Sequence, residues 1–278
     1  MKILAIVVTY YPEKNLLKKN INAFIEYVDK VLIWENTPES EKLSFRFIHD
    51  EKIEYCGDGI NSISHALNYG WKYAKRNGYD YLLTMDQDSI LVNFTLVKEY
   101  VKQHYREKAL LSPHINMPNI KPVISIVNNI RVTRVDGLIT SGSLFYIGLL
   151  DILNGFNETL SIDGIDTDLY LRADQLGIPS YRINNYNLVQ RFGEPQIRYL
   201  FGKRYELTTY SAHRLESILQ SHIYIMRKYR NMSAQTKKHI VRHYVVGRIR
   251  DVIFFESDKM SKIISLCRGI IKGLFVKL

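Results

Sequence analysis

The chain has 278 residues, of which 46% are hydrophobic and 24% are charged. This length and composition can bury a core, and the charged fraction with only seven prolines argues against disorder. The two cysteines, Cys56 and Cys267, lack metal-ligand spacing, so a reduced, cytoplasmic protein is expected. No apolar window is long enough for a membrane span, and the first apolar run predicts a buried strand rather than a signal peptide.

The net charge of +10 is unevenly distributed. Residues 197–278 contain 17 Lys and Arg but only 5 Asp and Glu, so the preceding part is close to neutral. This asymmetry favours an anionic partner for the C-terminal part, either nucleic acid, an anionic bilayer or a phosphorylated substrate.

Strand and helix patterns alternate through the first third of the chain. Apolar runs predict strands at Ile3–Val8, Val31–Trp34, Lys52–Cys56 and Tyr79–Met85, with amphipathic helices after the first and third. Short connections between such elements predict a mostly parallel sheet covered by helices.

Polar residues follow these strands at what should be one edge of the sheet. Because ligands of open α/β sheets bind at the carboxyl ends of the strands, this edge is the predicted binding site. The residues expected there are Thr9, Glu35, Asp58 and Asp86.

The remaining chain is predicted in less detail. A hairpin is expected around Asn128-Asn129, and the helix Ile165–Leu176 ends at a Gly-Ile-Pro turn. Further strands are expected at 144–147, 180–183 and 187–192, and basic helical segments at 205–230 and 234–256. The last segment, Met260–Leu274, is an amphipathic helix surrounded by cations.

The segment Asp86-Gln87-Asp88 ends the fourth predicted strand. Two carboxylates at a strand end suit a hard divalent cation that also binds phosphate oxygens. A solvated acidic turn is the alternative, and the spacing alone does not separate the two.

A second acidic cluster contains Asp163, Asp166 and Asp168 at a predicted helix start. Helix capping accounts for one or two of these carboxylates and is the simpler interpretation of the cluster alone. A third carboxylate close to the others should have a raised pKa, which suits a general base, and Arg172 could hold one of them. The small residues of Thr140–Leu144 indicate either a tight turn or a surface over which a sugar lies closely.

Together these stretches resemble the inverting glycosyltransferases of family 2, and within them bacterial rhamnosyltransferase-like enzymes. The order and spacing of six motifs agree with that family across residues 3–193. They are Ile6–Tyr10 (IVVTY), Gly59–Gly70 (GINSISHALNYG), Tyr79–Ser89 (YDYLLTMDQDS), Ile139–Ser143 (ITSGS), Gly155–Glu158 (GFNE) and Asp163–Arg172 (DGIDTDLYLR).

The resemblance implies a GT-A-type nucleotide-binding α/β fold with a mostly parallel central sheet. It implies a catalytic domain over residues 1–198 and a helical, basic C-terminal extension over residues 199–278. By the same resemblance Asp88 would hold Mg²⁺ or Mn²⁺ at the donor's diphosphate, and Asp86 would contact the nucleotide's ribose or the metal shell. Asp166 would be the general base. The remaining donor-binding positions are Thr9, Glu35, Asp58, Ser141 and Gly142.

The implied reaction moves a sugar, with rhamnose as the first candidate, from a dTDP- or UDP-linked donor. The acceptor would be a glycan or a lipid-linked molecule in cell-surface polysaccharide synthesis. We expect no nucleic-acid partner, a cytoplasmic location, and contact of residues 258–278 with the inner membrane face. Packing of that segment on the catalytic domain, or on a second subunit in a homodimer, is the alternative.

Three positions depart from the family's pattern. Glu35 stands where Asp is more frequent, Gln190 stands where many relatives carry a histidine, and Tyr210–Arg214 only partly resembles the family's HSPxR segment. A nucleotidyltransferase is the rival enzyme, but Thr9–Glu13 lacks the expected Gly-rich phosphate loop. A non-catalytic nucleotide- or membrane-binding protein is the rival of another class.

Overall fold

A computed structural model describes residues 1–38, 40, 46–116, 130–190, 196–200 and 202–278. The chain forms two compact units. The N-terminal unit comprises Met1–Ser161 and Ile165–Arg191, and the C-terminal unit comprises Ile162–Gly164 and Phe192–Leu278. The predicted domain boundary between residues 198 and 199 stays a prediction.

The N-terminal unit is built on a nine-stranded sheet in the order β3-β2-β1-β4-β8-β6-β9-β5, with β7 paired to β9. Strands β3, β2, β1 and β4 are parallel, whereas β8 runs antiparallel to both β4 and β6. The α/β fold and its largely parallel sheet are therefore as predicted. The strands are β1 (Ile3–Thr9), β2 (Lys30–Glu35), β3 (Ile53–Cys56), β4 (Tyr81–Asp86), β5 (Ser89–Val92), β6 (Leu110–Asn116), β7 (Val132–Arg134), β8 (Ser143–Tyr146) and β9 (Ser180–Gln190).

Helices cover this sheet, and every residue of β1 is buried, as its continuous apolar run predicts. Ser62 caps α2 by accepting a hydrogen bond from the backbone N–H of His65 at 3.3 Å. Gly70 of α2 lies so close to Ile6 that a Cβ there would be 2.9 Å from Ile6 Cδ1. The helices are α1 (Lys14–Asn22), α2 (Ile63–Arg76), α3 (Phe94–Gln103), α4 (Ile147–Leu153) and α5 (Ile165–Gln175), with a 3₁₀ turn at Ile25–Tyr27.

Strand β9 replaces the two strands predicted at 180–183 and 187–192. Its first half pairs with β7 and its second half with β5, and Asn185 between them has a φ of 65°. The described half of the predicted hairpin contains β7, which pairs with β9, and the hairpin itself stays a prediction. Residues 123–129 of that hairpin, and residues 191 and 192, lie outside the described residues.

The C-terminal unit begins with β10 (Gln196–Leu200) and β11 (Lys203–Leu207), which form an antiparallel pair. The helical segment predicted from residue 205 therefore starts later, because Ser211 caps α6 (Ala212–Lys228) at its N-terminus. α7 (Ala234–Ile240), a π-helical segment (Val241–Val246) and α8 (Gly247–Phe254) follow, and α9 (Lys259–Phe275) packs along α6. Among the described helices, none has the length and apolar character to cross a bilayer.

Candidate active site

The carboxyl ends of the parallel strands bring three predicted site residues together. Thr9 lies opposite Glu35 in the β1–β2 register, and Val8 lies opposite Asp86 in the β1–β4 register. Thr9 donates its hydroxyl hydrogen to the carbonyl of Trp34 at 3.1 Å. Thr9, Glu35 and Asp86 thus share one edge of the sheet, as predicted from the order of the strands.

Glu35 is buried, with 2% of its surface exposed. Arg46 donates to Glu35 Oε2 from Nε at 2.9 Å and from Nη2 at 2.6 Å. The other oxygen, Oε1, is buried and has no hydrogen-bond partner among the described residues. A buried acceptor of this kind is costly unless a donor reaches it, so Glu35 is suited to accept a hydrogen bond from a ligand.

Asp86 is fixed through both its backbone and its side chain. Its N–H donates to Ser141 Oγ at 3.1 Å, and its carbonyl accepts from Asn20 Nδ2 at 2.9 Å. Gln190 Nε2 donates to Asp86 Oδ2 at 3.1 Å. Contacts with Ser141 and Asn20 therefore fix the backbone of Asp86, and the contact with Gln190 orients its carboxylate.

Asp88 is only partly exposed, and burial raises the pKa of its carboxyl. Asp88 forms no ion pair with a cationic side chain among the described residues. A partly desolvated carboxylate without a compensating cation gains most from a bound metal ion.

The donor set around Asp86 and Asp88 fits Mg²⁺ or Mn²⁺. Within the described residues no group of three His, Cys, Asp or Glu side chains forms a closed metal site, so protein carboxylates supply two ligands at most. Gln190 Oε1 is a further hard oxygen beside Asp86, buried and unpartnered within the same described residues. Mg²⁺ characteristically binds through one or two carboxylates with phosphate and water completing its shell.

Gln87, between the two aspartates, serves the framework. Its Oε1 accepts from the N–H of Tyr10 at 2.7 Å, and its Nε2 donates to the carbonyl of Tyr10 at 3.1 Å. These two hydrogen bonds connect the segment after β1 to the segment after β4.

Ser141 and Gly142 lie in the turn before β8. Gly142 has a φ of +75°, and a Cβ there would lie 2.9 Å from both Leu91 Cδ2 and Pro113 Cγ. Tyr186 donates its hydroxyl hydrogen to the carbonyl of Gly142 at 2.6 Å. Backbone conformation and packing therefore account for this glycine without a ligand, while Ser141 acts on Asp86.

Asp58 follows β3 and belongs to a network with His65 of α2. His65 Nε2 lies 2.7 Å from Asp58 Oδ2, and Nδ1 lies 3.3 Å from Glu158 Oε2. Partial burial disfavours the charged imidazole, but the hydrogen bonds to both carboxylates outweigh it and raise the pKa of His65. The ring therefore links the loop that carries Asp58 to the loop that carries Glu158.

The loop at Glu158 is held on α2 by Asn68. Its Nδ2 donates to the carbonyl of Phe156 at 2.8 Å and to Glu158 Oε1 at 2.7 Å, and its Oδ1 accepts from the N–H of Phe156 at 2.7 Å. Gly155 makes this approach feasible, because a Cβ there would lie 2.4 Å from the Trp71 ring. The motifs at Gly59–Gly70 and Gly155–Glu158 are thus two halves of one contact.

The acids of the second cluster have different partners. In the N-terminal unit Asp168 is fully buried, accepts from Arg172 Nε at 2.8 Å and accepts from Asn157 Nδ2 at 3.0 Å. Asp166, in the first turn of α5, accepts from the N–H of Thr167 at 2.8 Å. Arg172 therefore holds Asp168, whereas Asp166 is partly exposed.

In the C-terminal unit Asp163 pairs with Arg214, whose Nη2 lies 3.0 Å from Asp163 Oδ1. Burial raises the pKa of the Asp163 carboxyl and outweighs the opposing effect of Arg214. Burial, rather than repulsion between like charges, is therefore the main cause of the raised pKa of Asp163.

The sequence interpretation missed several residues of this edge. Asn20, Arg46 and Asn68 have no motif spacing relative to their partners, which are 66, 11 and 88 positions away. Only one of them carried a signal, since Asn68 belongs to the ALNYG part of the second motif.

Comparison with known proteins adds a curated relative. The chain is 26% identical over 216 residues to the dTDP-rhamnosyl transferase RfbF of Shigella flexneri, covering 70% of this chain and 71% of that protein. No protein-family model matches the chain.

Solved structures show the same fold. TarS of S. aureus, residues 1–349 in complex with UDP-GlcNAc, aligns with a TM-score of 0.58 at 16% identity, covering 98% of this chain and 81% of that chain. GalNAc-T7 with UDP, GalNAc and Mn²⁺ also aligns with a TM-score of 0.58, at 10% identity, covering 98% of this chain and 56% of that one. In sequence the chain is similar to a glycosyltransferase and in fold to GT-A glycosyltransferases, which confirms its resemblance to family 2 and supports a glycosyltransferase role.

Proposed function

We propose that this protein is an inverting, metal-dependent glycosyltransferase. It transfers a sugar from a nucleotide-diphosphate donor to a glycan or lipid-linked acceptor in cell-surface polysaccharide synthesis. Rhamnose on dTDP is the first candidate donor, because the curated relative bears the name of a dTDP-rhamnosyl transferase. Catalysis is assigned to residues 1–198.

The observation that carries this proposal is the arrangement at the edge of the sheet. A buried acceptor on Glu35, an oriented carboxylate on Asp86 and a partly desolvated carboxylate on Asp88 lie at the carboxyl ends of β2 and β4, the parallel strands on either side of β1. The acceptor on Glu35 suits a nucleotide base or ribose. The carboxylates of Asp86 and Asp88 suit a cation that neutralises a diphosphate.

The nucleotide is assigned to Thr9, Glu35 and Asp58. Uracil and thymine both carry a ring N–H, and the unpartnered Oε1 of Glu35 can accept from it while Arg46 holds the other oxygen. A buried acceptor that is satisfied only by the correct base also discriminates against bases that lack that N–H.

Asp88, Asp86 and the amide oxygen of Gln190 would hold Mg²⁺ or Mn²⁺. When bound there, the ion supplies positive charge to the leaving nucleoside diphosphate. Ser141, Asn20 and Gln190 keep Asp86 in one orientation, so the site is organised before the donor arrives.

Asp166 is assigned the proton transfer. Its carboxylate accepts the proton of the acceptor hydroxyl as the acceptor oxygen bonds to the anomeric carbon and the bond to the diphosphate breaks. One displacement inverts the anomeric configuration, and the protein itself needs no nucleophile.

The test is a panel of nucleotide sugars with and without Mn²⁺, scored by release of the nucleoside diphosphate. We expect Asp88→Asn and Asp166→Asn each to lower kcat by roughly 100-fold or more. Asp88→Asn should also weaken Mn²⁺-dependent nucleotide binding, whereas Asp166→Asn should leave that binding intact. Asp174→Asn is the matched control, since it removes an exposed carboxylate from the same helix as Asp166.

Transfer that is independent of metal and unaffected by either substitution would overturn the proposal. So would an acceptor product that retains the anomeric configuration of the donor, because a single displacement cannot give it.

A further inference from the structure

The surface that α9 presents to solvent is strongly apolar. Most of the large apolar side chains of this helix are exposed, and the side chains it buries are few and mostly small. The exposed residues are Met260, Ile263, Ile264, Ile271, Leu274 and Phe275. The buried ones are Lys262, Ser265, Leu266, Gly269 and Gly273.

The buried side of α9 is fixed by its contact with α6. A Cβ at Gly269 would lie 2.5 Å from the carbonyl oxygen of Glu216, and one at Gly273 would lie 2.7 Å from Ile223 Cβ. Lys262 forms a buried ion pair with Glu256 at 2.6 Å, and Arg227 donates to the carbonyls of Gly273 and Val276 at 2.9 Å each. The helix is therefore already packed on its own unit, and its apolar side faces outward.

Helical geometry makes this surface a continuous stripe. At about 100° per residue, Met260, Ile264, Ile271 and Leu274 fall within about 40° of one line along the helix, opposite Gly269. The stripe runs from Met260 to Leu274, so it is about 21 Å long at about 1.5 Å per residue. An apolar stripe of this kind can bury itself at the boundary between the head groups and the acyl chains of a bilayer.

Cations border the stripe on both sides. Arg268 and Lys272 fall on one edge and Lys259 on the other, and all three are exposed, although Lys272 is paired with Glu216 of α6. No Asp or Glu occurs between residues 259 and 278, and the whole region 197–278 carries 17 basic against 5 acidic residues. A surface of this composition is complementary to an anionic bilayer, in which apolar side chains meet acyl chains and cations meet head groups.

A second copy of the chain fits this surface less well. Two α9 helices paired along their stripes would place Lys259 and Arg268 of one beside those of the other, with no carboxylate on either α9 helix to offset them. We propose that the exposed stripe of α9 docks the protein on an anionic lipid bilayer. This deepens the proposed function, because a lipid-linked acceptor would lie in that bilayer.

The test measures co-sedimentation of the full chain with vesicles. Vesicles of phosphatidylcholine containing phosphatidylglycerol are compared with pure phosphatidylcholine, each at low and high salt. We expect the protein to bind the anionic vesicles and to lose affinity at high salt. Arg268→Gln combined with Lys259→Gln should weaken binding to anionic vesicles only.

A matched pair of double variants isolates the stripe. Ile264→Gln with Ile271→Gln removes side chains that are 44% and 56% exposed, and should lower vesicle binding by roughly tenfold or more. Ile152→Gln with Leu176→Gln removes apolar side chains that are 44% and 58% exposed in the N-terminal unit, and should leave binding unchanged. Far-UV circular dichroism of each variant verifies the fold.

The proposal is overturned if the full chain does not bind anionic vesicles, or if both double variants bind equally well. It is also overturned if the chain sediments as a dimer that Ile264→Gln with Ile271→Gln converts to a monomer, without vesicle binding. Measuring nucleotide release in the absence of vesicles separates the two proposals. If the protein releases nucleotide but does not bind vesicles, only the docking proposal is contradicted. If it binds vesicles but transfers no sugar, only the proposed function is contradicted.

Discussion

Gln190 donates its side-chain N–H to Asp86 Oδ2 over 3.1 Å, so the amide oxygen of Gln190 does not face this carboxylate oxygen directly. The reverse orientation would set two acceptors against each other, so the position of the oxygen follows from the position of Asp86. That oxygen is buried and unpartnered in the part of the chain that the structure describes. Gln190 thus orients Asp86, a proposed metal ligand, and its own amide oxygen is a third candidate ligand.

Gln190→Leu removes both contributions at similar side-chain volume. We expect the affinity for Mn²⁺ in the presence of a nucleoside diphosphate to fall by roughly tenfold or more, as measured by calorimetry. Gln190→His should keep Mn²⁺ binding and shift the preference towards Co²⁺ or Zn²⁺, since imidazole is the softer ligand. Unchanged Mn²⁺ affinity in the leucine variant would show that this side chain acts on neither the metal nor Asp86.

Glu35→Gln tests base recognition. The glutamine can present an N–H where Glu35 presents only an acceptor, and cytosine has a ring acceptor where uracil has an N–H. We therefore expect UDP and dTDP to bind roughly tenfold more weakly and CDP to bind no more weakly than before. An equal loss for all three nucleotides would assign Glu35 to the ribose or to structure, because those contacts do not depend on the base.

The His65 network predicts a pH dependence of stability. Because the folded-state pKa of His65 is raised, its contribution is complete below about pH 6.5 and is lost as pH rises through the raised value. Although partial burial acts in the opposite direction, hydrogen bonding lowers the pKa values of Asp58 and Glu158, so their contributions are lost as pH falls through those lowered values. The network is therefore most stabilising in mildly acidic solution.

Thermal unfolding of the natural protein and of His65→Gln measures this effect. We expect the natural protein to be more stable by about 1 kcal/mol or less near pH 6, because both carboxylates are well exposed, and the difference to shrink as pH rises through the raised pKa of His65. A difference that grew with pH would mean that neutral His65, rather than its charged form, stabilises the fold.

Arg172 compensates a fully buried charge. Arg172→Met leaves the Asp168 carboxylate buried without its cation, and we expect the free energy of unfolding to fall by about 3 kcal/mol in urea titration. Adding Asp168→Asn should recover part of the loss, because the neutral amide can still accept from Asn157. If the double variant were no more stable than Arg172→Met alone, lost packing of the arginine would be the cause rather than the buried charge.

The edge of the sheet could be predicted because strand periodicity is local. β1, β2 and β4 are mainly apolar, and parallel strands bring their carboxyl ends together, so the shared position of Thr9, Glu35 and Asp86 follows from the sequence. The resemblance then added Asp88, whose spacing alone fits a solvated turn equally well.

The partners of these residues could not be predicted. Arg46 reaches Glu35, and Gln190 reaches Asp86 across 104 positions, by contacts that no periodicity encodes. The two carboxylate partners of His65 likewise come from separate loops, and no spacing in the sequence indicates them. The strand pair β10–β11 was missed because its few residues carry a polar, basic pattern that is also compatible with a helix.

Gly269 and Gly273 determine how α9 is rotated about its own axis against α6. Because each leaves room for the backbone of α6 where no side chain would fit, α9 can seat in one orientation about its own axis. Inserting a single residue between Cys267 and Gly269 would turn the preceding stripe by about 100° relative to that seat. The direction in which this protein presents its apolar side is thus decided by the two residues on α9 that have no side chain.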